Sequence, residues 1–198
     1  MKAVLASNNA HKLKEIREIL KDYFEEIYSL KDLDIDIEIE ENGKTFLENA
    51  LIKARTICEM TSLPTIADDS GLEVVALGGA PGIYSARFAG EPCNDDNNNQ
   101  LLLSKLHTLE QTQVRNRNAR FVSVVAICYP DKSYKYGEGF VNGHILDEYR
   151  GNNGFGYDPL FYCDELGKTF AQADMSEKNK VSHRARALAQ LVKKLCQT

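Results

Sequence analysis

An α/β fold with a mixed β-sheet is the class this sequence predicts, and three observations predict it. Apolar runs alternate with helical periodicity in the first third of the chain. Two β-branched and aromatic runs then follow one another through the middle. No Pro/Gly/Ser linker divides the 198 residues into halves, so the chain reads as one domain, residues 1–198. Helices alternating with strands favour parallel pairing and consecutive strands do not, so the sheet is expected to be mixed.

Taken in order, residues 2 to 6 (KAVLA) form a short apolar run ending in a polar SNN. Lys12 to Phe24 then repeats apolar groups at Leu13, Ile16, Ile19, Leu20, Tyr23 and Phe24, which gives strand, loop, helix. Lys31 to Lys44 is acidic and turn-rich, and alternating Ile35, Ile37 and Ile39 suggest an extended segment. From Thr45 to Met60 the apolar spacing is three and four, and Thr45-x-x-Glu48 has the form of a capping box. After Pro64, IADDSGLEVVAL reads as a buried strand, a tight turn at Ser70-Gly71 and a second strand. GGAPGIYSARFAGEP is expected to be loop, and residues 97 to 110 a helix. Residues 119 to 129 read as a central strand, Pro130-Asp131 as a turn, and Tyr134 to Ile145 as a further strand. RGNNGFGYDPLF is a glycine-punctuated loop, and a basic amphipathic helix from Ser182 to Leu195 closes the reading.

Composition removes several classes of function. At 43% hydrophobic and 27% charged residues, disorder, collagen-like repeats and a disulfide-stapled miniprotein are excluded. No apolar run approaches the roughly 18 residues of a membrane span, and the first residues turn polar too early for a secretory signal, so a cytoplasmic protein is expected. Cys58, Cys93, Cys128, Cys163 and Cys196 are odd in number and widely spaced, which argues against a disulfide framework and a zinc site. They read as thiols, mostly buried. A formal net charge of −5 disfavours binding to a nucleic acid polymer. A small anion would need a local cationic cluster or a metal.

Four clusters can carry chemistry. Ser7, Asn8, Asn9, Ala10, His11 and Lys12 lie between a strand and a helix, where free N–H groups and the helix dipole favour an anion. Ser7 or Asn9 serves equally as a plain N-cap. Lys12 in a first helical turn opposes the dipole, an odd choice without an anion nearby. Asp68 and Asp69 are adjacent in a strand, so their side chains point to opposite faces and only one faces a ligand. Adjacent acids after Ile66-Ala67 cost desolvation unless a metal, a base or N–H donors offset it. They read as a hard-cation ligand or general base, or as a solvated Asx-turn. Glu40 and Glu41 offer a second carboxylate, and Mg²⁺ typically takes one or two. By itself that acidic run is more often a solvated face.

Gly154-Phe155-Gly156-Tyr157-Asp158-Pro159 would let backbone and ring approach a planar ligand, with Asp158 as acceptor. A simple glycine-rich turn reads equally well. Lys178, Lys180, His183, Arg184 and Arg186, placed at the start of the last helix with Ser182 as cap, oppose the dipole unless an anionic or acceptor-rich partner is present. Together the clusters are the inventory of a nucleoside triphosphate site.

SNNAHK, EENGKTFLENALIKA, IADDSGLEVVALGGAPGIYSARFAG, GNNGFGYDPLF and KNKVSHRARAL, running in that order from Ser7 to Leu188, resemble the motifs of the Ham1/inosine triphosphate pyrophosphatase family. The one departure noticed is Asn153, where a glycine often opens the loop; both following glycines remain. The resemblance implies an elongated mixed β-sheet flanked by helices, with two lobes around a central nucleotide-binding cleft, and a homodimer. It also implies Mg²⁺-dependent hydrolysis of ITP, dITP and XTP to the monophosphate and pyrophosphate, which cleans the nucleotide pool. By the same carry-over Ser7, Asn8, Asn9, Ala10, His11 and Lys12 would hold the triphosphate, Asp69 would be the general base, and Glu41 with Asp69 would bind Mg²⁺. Glu41 is preferred to Glu40 by its distance from Gly43 and Glu48. Ser70, Phe155, Gly156, Tyr157, Asp158, Lys178, His183 and Arg184 would contact substrate. Lys12 and Lys178 would stabilise the departing pyrophosphate, and His183 and Arg184 would donate to a 6-oxo purine.

Two rivals come from other classes. A Maf-like nucleotide pyrophosphatase would prefer other bases, and the Ser182-His183-Arg184 segment argues against it. A non-catalytic nucleotide-binding module would not need Asp69 together with a metal carboxylate.

Overall fold

In the computed structural model, which describes residues 1–196 apart from the side chain of His11, the first apolar run forms β1 (Lys2–Leu5) and leads into α1 (Ala10–Leu20). The helix starts two residues earlier than its periodicity suggests because Asn9 Oδ1 accepts from the Lys12 N–H at 3.2 Å and caps it. It ends at Leu20, whose carbonyl takes the N–H groups of both Tyr23 and Phe24, so the apolar repeat runs past the helix. Next comes β2 (Glu26–Ser29), a strand the sequence hides because four residues beside a helical repeat carry no period of their own. Arg17 holds it, forking two N–H groups onto the Ile27 carbonyl at 3.0 and 2.7 Å.

The acidic stretch alternates as its isoleucines suggest: Ile35, Ile37 and Ile39 are half-buried while Asp34, Asp36, Glu38 and Glu40 are exposed. The described strands do not include it, and Lys31–Leu33 form a 3₁₀ turn. In α2 (Phe46–Thr61) the face Phe46, Ala50, Leu51, Ala54, Ile57 and Cys58 is buried. Thr45 Oγ1 accepts from Glu48 N, but the Glu48 carboxylate takes the Lys44 N–H instead of closing back on Thr45. The expected capping box is therefore one-sided.

The expected turn at Ser70-Gly71 is absent. β3 (Thr65–Val74) passes straight through it as one strand. Ser-Gly is a local turn preference, and β3 is flanked by other strands on both sides, so ladder bonds override it. The Leu72 N–H is met by Ser85 Oγ at 2.8 Å. The glycine-rich segment that follows is not plain loop. It contains a 3₁₀ turn at Gly82–Arg87, and the expected second strand before it stops at Val74 and gives way to another 3₁₀ turn at Val75–Leu77.

The remaining elements are α3 (Asp95–Gln111), β4 (Asn118–Cys128), β5 (Tyr134–Ile145), β6 (Phe161–Cys163), β7 (Lys168–Thr169), α4 (Met175–Val181) and α5 (His183–Leu195). The single closing helix expected from Ser182 is thus preceded by a separate α4, which Asp174 and Glu177 cap in a complete capping box. Lys178 and Lys180 belong to the last turn of α4, where cations agree with the dipole, so the conflict read into them does not exist. His183, Arg184 and Arg186 do occupy a first turn, that of α5.

The strand order is β2-β1-β3-β4-β5-β6-β7, with β1 parallel to β2 and β3, and with β6 antiparallel to β5 and β7. The fold is α/β with a mixed sheet, as expected. The chain gathers into two compact units. The first comprises Met1–Asp69, Ser123–Gly139 and the chain from Arg184. Its core joins Leu5, Ile16, Leu20, Ile66, Val125, Ile127, Leu188 and Leu191. Here β5 lies so close to α5 that a Cβ on Gly137 would stand 2.0 Å from the Ala187 carbonyl. The second unit comprises Ser70–Val122 and Phe140–His183, around Leu72, Leu102, Leu106, Phe121, Val141, Phe161 and Phe170. All five cysteines are free, with Cys58, Cys128 and Cys163 buried and Cys93 and Cys196 exposed. Among the described residues no helix is long and apolar enough to cross a membrane.

Candidate active site

In the first unit the two adjacent carboxylates sit mid-strand on β3 and, as strand alternation demands, serve different neighbours. Asp68 is 1% exposed and lies 3.0 Å from Lys12 Nζ and 3.3 Å from Arg184 Nε. Arg184, 2% exposed, extends Nη1 to Glu15 at 2.5 Å. Burial works against the charge on Asp68, but Lys12, Arg184 and Lys53 outweigh it and hold the carboxyl well below the usual carboxylate range. Burial likewise pulls Lys12 below the ordinary lysine value against the attraction of Asp68. Asp68 is thus one anion beside the lysine of this first helical turn.

Asp69 faces α2. Its Oδ2 accepts from Asn49 Nδ2 at 3.1 Å, and its Oδ1 lies 3.8 Å from Lys53 Nζ. Lys53 also pairs with Glu41 at 2.9 Å, so one ammonium serves both carboxylates. Asn49 Oδ1 accepts from the Gly43 N–H at 2.8 Å and fastens the acidic segment to α2. Burial raises the Asp69 carboxyl above its ordinary value, with Glu41 adding to it and Lys53 and Asn49 opposing. Burial disfavours the Lys53 charge, yet Asp69, Asp68 and Glu41 prevail and raise it.

Two carboxylate side chains drawn to one cation are a hard, oxygen-only donor set. Among the described residues no group of three or more His, Cys, Asp or Glu gathers to hold a metal. Mg²⁺ is a cation that takes one or two carboxylates of this kind and completes its octahedron with water and phosphate. Glu40, by contrast, is exposed.

The loop between β1 and α1 is a tight turn, in which Ser7 Oγ accepts from the Asn9 N–H at 3.2 Å. Asn8, Asn9 and Ala10 are exposed, and the side chain of His11 lies outside the described residues. Ser70 is half-buried, next to Asp69 on β3.

The second unit holds the aromatic and glycine loop. Asp158, 3% exposed, pairs through Oδ2 with Lys178 Nζ at 2.5 Å and accepts from the Phe155 N–H at 3.0 Å. Gly154 has φ +78°, and a Cβ there would stand 2.0 Å from Asp158 Oδ2, so only glycine lets this carboxylate close the loop. The Lys178 ammonium lies 5.0 Å from the Phe155 ring centroid and 5.1 Å from that of Phe170. Tyr157 is buried and donates to the Ser85 carbonyl at 2.8 Å. Gly156 is held at both ends of its residue, its N–H by Asp95 Oδ2 at 2.7 Å and its carbonyl by Asn99 Nδ2 at 2.9 Å. His183, 5% exposed, stacks on Phe121 with centroids 4.8 Å apart and planes at 12°.

Of the residues singled out by sequence, Lys12, Glu41, Asp68, Asp69 and Arg184 belong to the first cluster or its bracing. Phe155, Gly156, Asp158 and Lys178 meet in the second unit. Sequence reasoning missed Glu15, Asn49 and Lys53 in the first unit, and Asp95 and Asn99 in the second. The available signal was polar side chains at inward helical positions: Asn49 shares the buried face of α2, and Asn99 that of α3.

The sequence pattern of the Ham1 family matches residues 3–194. The chain is 51% identical over 191 residues to the dITP/XTP pyrophosphatase of Thermoanaerobacter sp. (strain X514), covering 96% of this chain and 94% of that one. It is 50% identical over 196 residues to the dITP/XTP pyrophosphatase of Haemophilus influenzae, covering 98% of each. Among solved structures, a HAM1 protein from Coxiella burnetii superimposes with a TM-score of 0.89 at 41% identity, covering 100% of both chains. The Staphylococcus aureus Ham1 protein gives 0.86 at 42%, covering 98% of both. Matched along almost its whole length by pattern, by sequence and by fold, the chain belongs to the Ham1 family.

Proposed function

We infer that this protein is a nucleoside triphosphate pyrophosphatase that takes dITP, XTP and ITP to the monophosphate and pyrophosphate with Mg²⁺ bound. The carrying observation is the asymmetric fate of the carboxylate pair. Asp68 is committed to Lys12 and Arg184, while Asp69 is set with Glu41 around a single ammonium. Relatives about half identical over nearly the whole chain are named dITP/XTP pyrophosphatases, which gives the substrate class.

In this reading Asp69 takes the proton from a water that attacks the α-phosphorus as the bond to the pyrophosphate oxygen breaks. Glu41 and Asp69 would hold Mg²⁺, which when bound would neutralise phosphate charge and orient the phosphates. Ser7, Asn8, Asn9, Ala10, His11 and Lys12 line the polyphosphate, and Lys53 adds a cation beside the reacting carboxylate. Ser70 contacts substrate next to Asp69. Phe155, Gly156, Tyr157 and His183 receive the purine. Asp158 and Arg184 serve through the partners they hold, Lys178 and Asp68. The 198 residues act as one pyrophosphatase domain, in a cytoplasmic homodimer without membrane or nucleic-acid partners.

The test is product analysis with dITP, XTP, ITP, GTP, ATP and a pyrimidine triphosphate, each with Mg²⁺ and with EDTA. Metal-dependent pyrophosphate release confined to the inosine and xanthine nucleotides is expected. Orthophosphate as the product, or equal rates on every base, would overturn the reading.

A further inference from the structure

We propose that Asp95 and Asn99, on the first two turns of α3, are positioning residues that set base selectivity by clamping the peptide of Gly156; this rests on the pyrophosphatase reading and on the base entering at the loop 154–158. Gly156 has φ +62°, a conformation that costs glycine little and leaves its N–H and carbonyl directions free to vary. Two bonds remove that freedom: Asp95 Oδ2 takes the N–H at 2.7 Å and Asn99 Nδ2 gives to the carbonyl at 2.9 Å.

Asn99 is 3% exposed, and its Oδ1 is buried without a hydrogen-bond partner among the described residues. The neighbouring Asn98 works in the same way, accepting from the Ala89 N–H at 2.7 Å and donating to the Ala86 carbonyl at 2.9 Å. The start of α3 therefore acts as a fixed rail to which two irregular segments are tied. Phe155, whose ring lies against Lys178, is the residue just before the clamped one. In a loop with two positive-φ glycines, Gly154 and Gly156, Asp158 fixes the chain on one side of that residue and this clamp fixes it on the other. Ångström-scale misplacement of a substrate-positioning group costs up to about a hundredfold in rate, so a bond to the loop can matter as much as a bond to the base.

The experiment compares Asp95→Ala, Asp95→Asn and Asn99→Leu with the wild-type protein, using kcat and KM for ITP and ATP and hydrogen exchange of residues 154–157. Asp95 is exposed, so its variants are expected to fold even if Asn99→Leu does not. For Asp95→Ala we expect KM for ITP to rise roughly tenfold with kcat changed by less than about threefold, a lower preference for ITP over ATP, and faster exchange at 154–157. Asp95→Asn keeps an acceptor for the Gly156 N–H and loses only the charge at the helix start, so it should restore most of the selectivity. Equal loss in both Asp95 variants would assign the effect to helix electrostatics and overturn the proposal. Unchanged KM, selectivity and exchange in an active Asp95→Ala enzyme would overturn it while leaving the pyrophosphatase reading intact. A wild-type protein that releases no pyrophosphate from ITP would overturn both.

Discussion

Arg184 shows how little of a residue's role its type reveals. A guanidinium in a basic run reads as a ligand for an anion, yet here it is buried between Glu15 and Asp68. The neighbouring acids are far apart in the chain, so no spacing could have announced the pairing. A buried pair contributes little net stability, but removing one partner strands the other's charge. Arg184→Ala is therefore expected to lower stability by about 3–5 kcal/mol, read from denaturant unfolding. A loss within about 0.5 kcal/mol, the range of an ordinary surface substitution, would contradict this bracing role. Asp32 gives a milder case at the surface. The Ser29 N–H at 2.8 Å, then the Ser29 hydroxyl and Arg17, hold its carboxyl below the ordinary value. Because the unfolded chain binds that proton first, the stability Asp32 lends is present above about pH 4 and is lost as pH falls through its folded value. The stability gap between wild type and Asp32→Ala should accordingly shrink on acidification; a gap that widens would reverse the sign.

At the scale of elements, what the sequence made legible was long and periodic. The helices at 46–61 and 95–111 and the strands at 118–128 and 134–145 lie within two residues of their expected bounds: in the helices burial on one face writes itself into the spacing, and in β4, buried without a break from Phe121 to Cys128, the continuous β-branched and aromatic run carries the signal. What stayed hidden was short or set by tertiary context: β2 and β7, the uninterrupted β3, and α4 before Ser182. The capping box of α4 is present in the letters Asp174-x-x-Glu177. Thr45 caps α2 through one bond at 3.1 Å, and Thr45→Ala should cost about 1 kcal/mol. Gly137 is a stronger constraint. A Cβ there would meet the α5 backbone at Ala187, which cannot swing aside as a side chain can, so Gly137→Ala should destabilise by about 1–3 kcal/mol or more. Unfolding midpoints equal to wild type would show that β5 and α5 can separate at no cost.

For the whole molecule, the net charge of −5 and an anionic substrate pull against each other. The proposed site answers this locally, with Lys12 and Lys53 in the first unit and with the Mg²⁺ that Glu41 and Asp69 would hold. The carboxylate pair was visible in the sequence, as was the alternation that sends its members to opposite faces. Which member is committed inside the protein was not, since that depends on Lys12 and Arg184 arriving from distant segments. Chelation should abolish turnover and added Mg²⁺ restore it; full activity in EDTA would remove the metal from the account.

The most direct test is Asp69→Asn, assayed for pyrophosphate release from ITP at saturating substrate and Mg²⁺, with the fold checked by its unfolding midpoint. The account predicts a folded protein whose turnover falls by about 10²- to 10⁴-fold or more, the worth of a general base that is also a metal ligand. A folded variant that keeps more than about a tenth of wild-type turnover would contradict the assignment of Asp69 as the base, since that loss is below what general-base catalysis supplies.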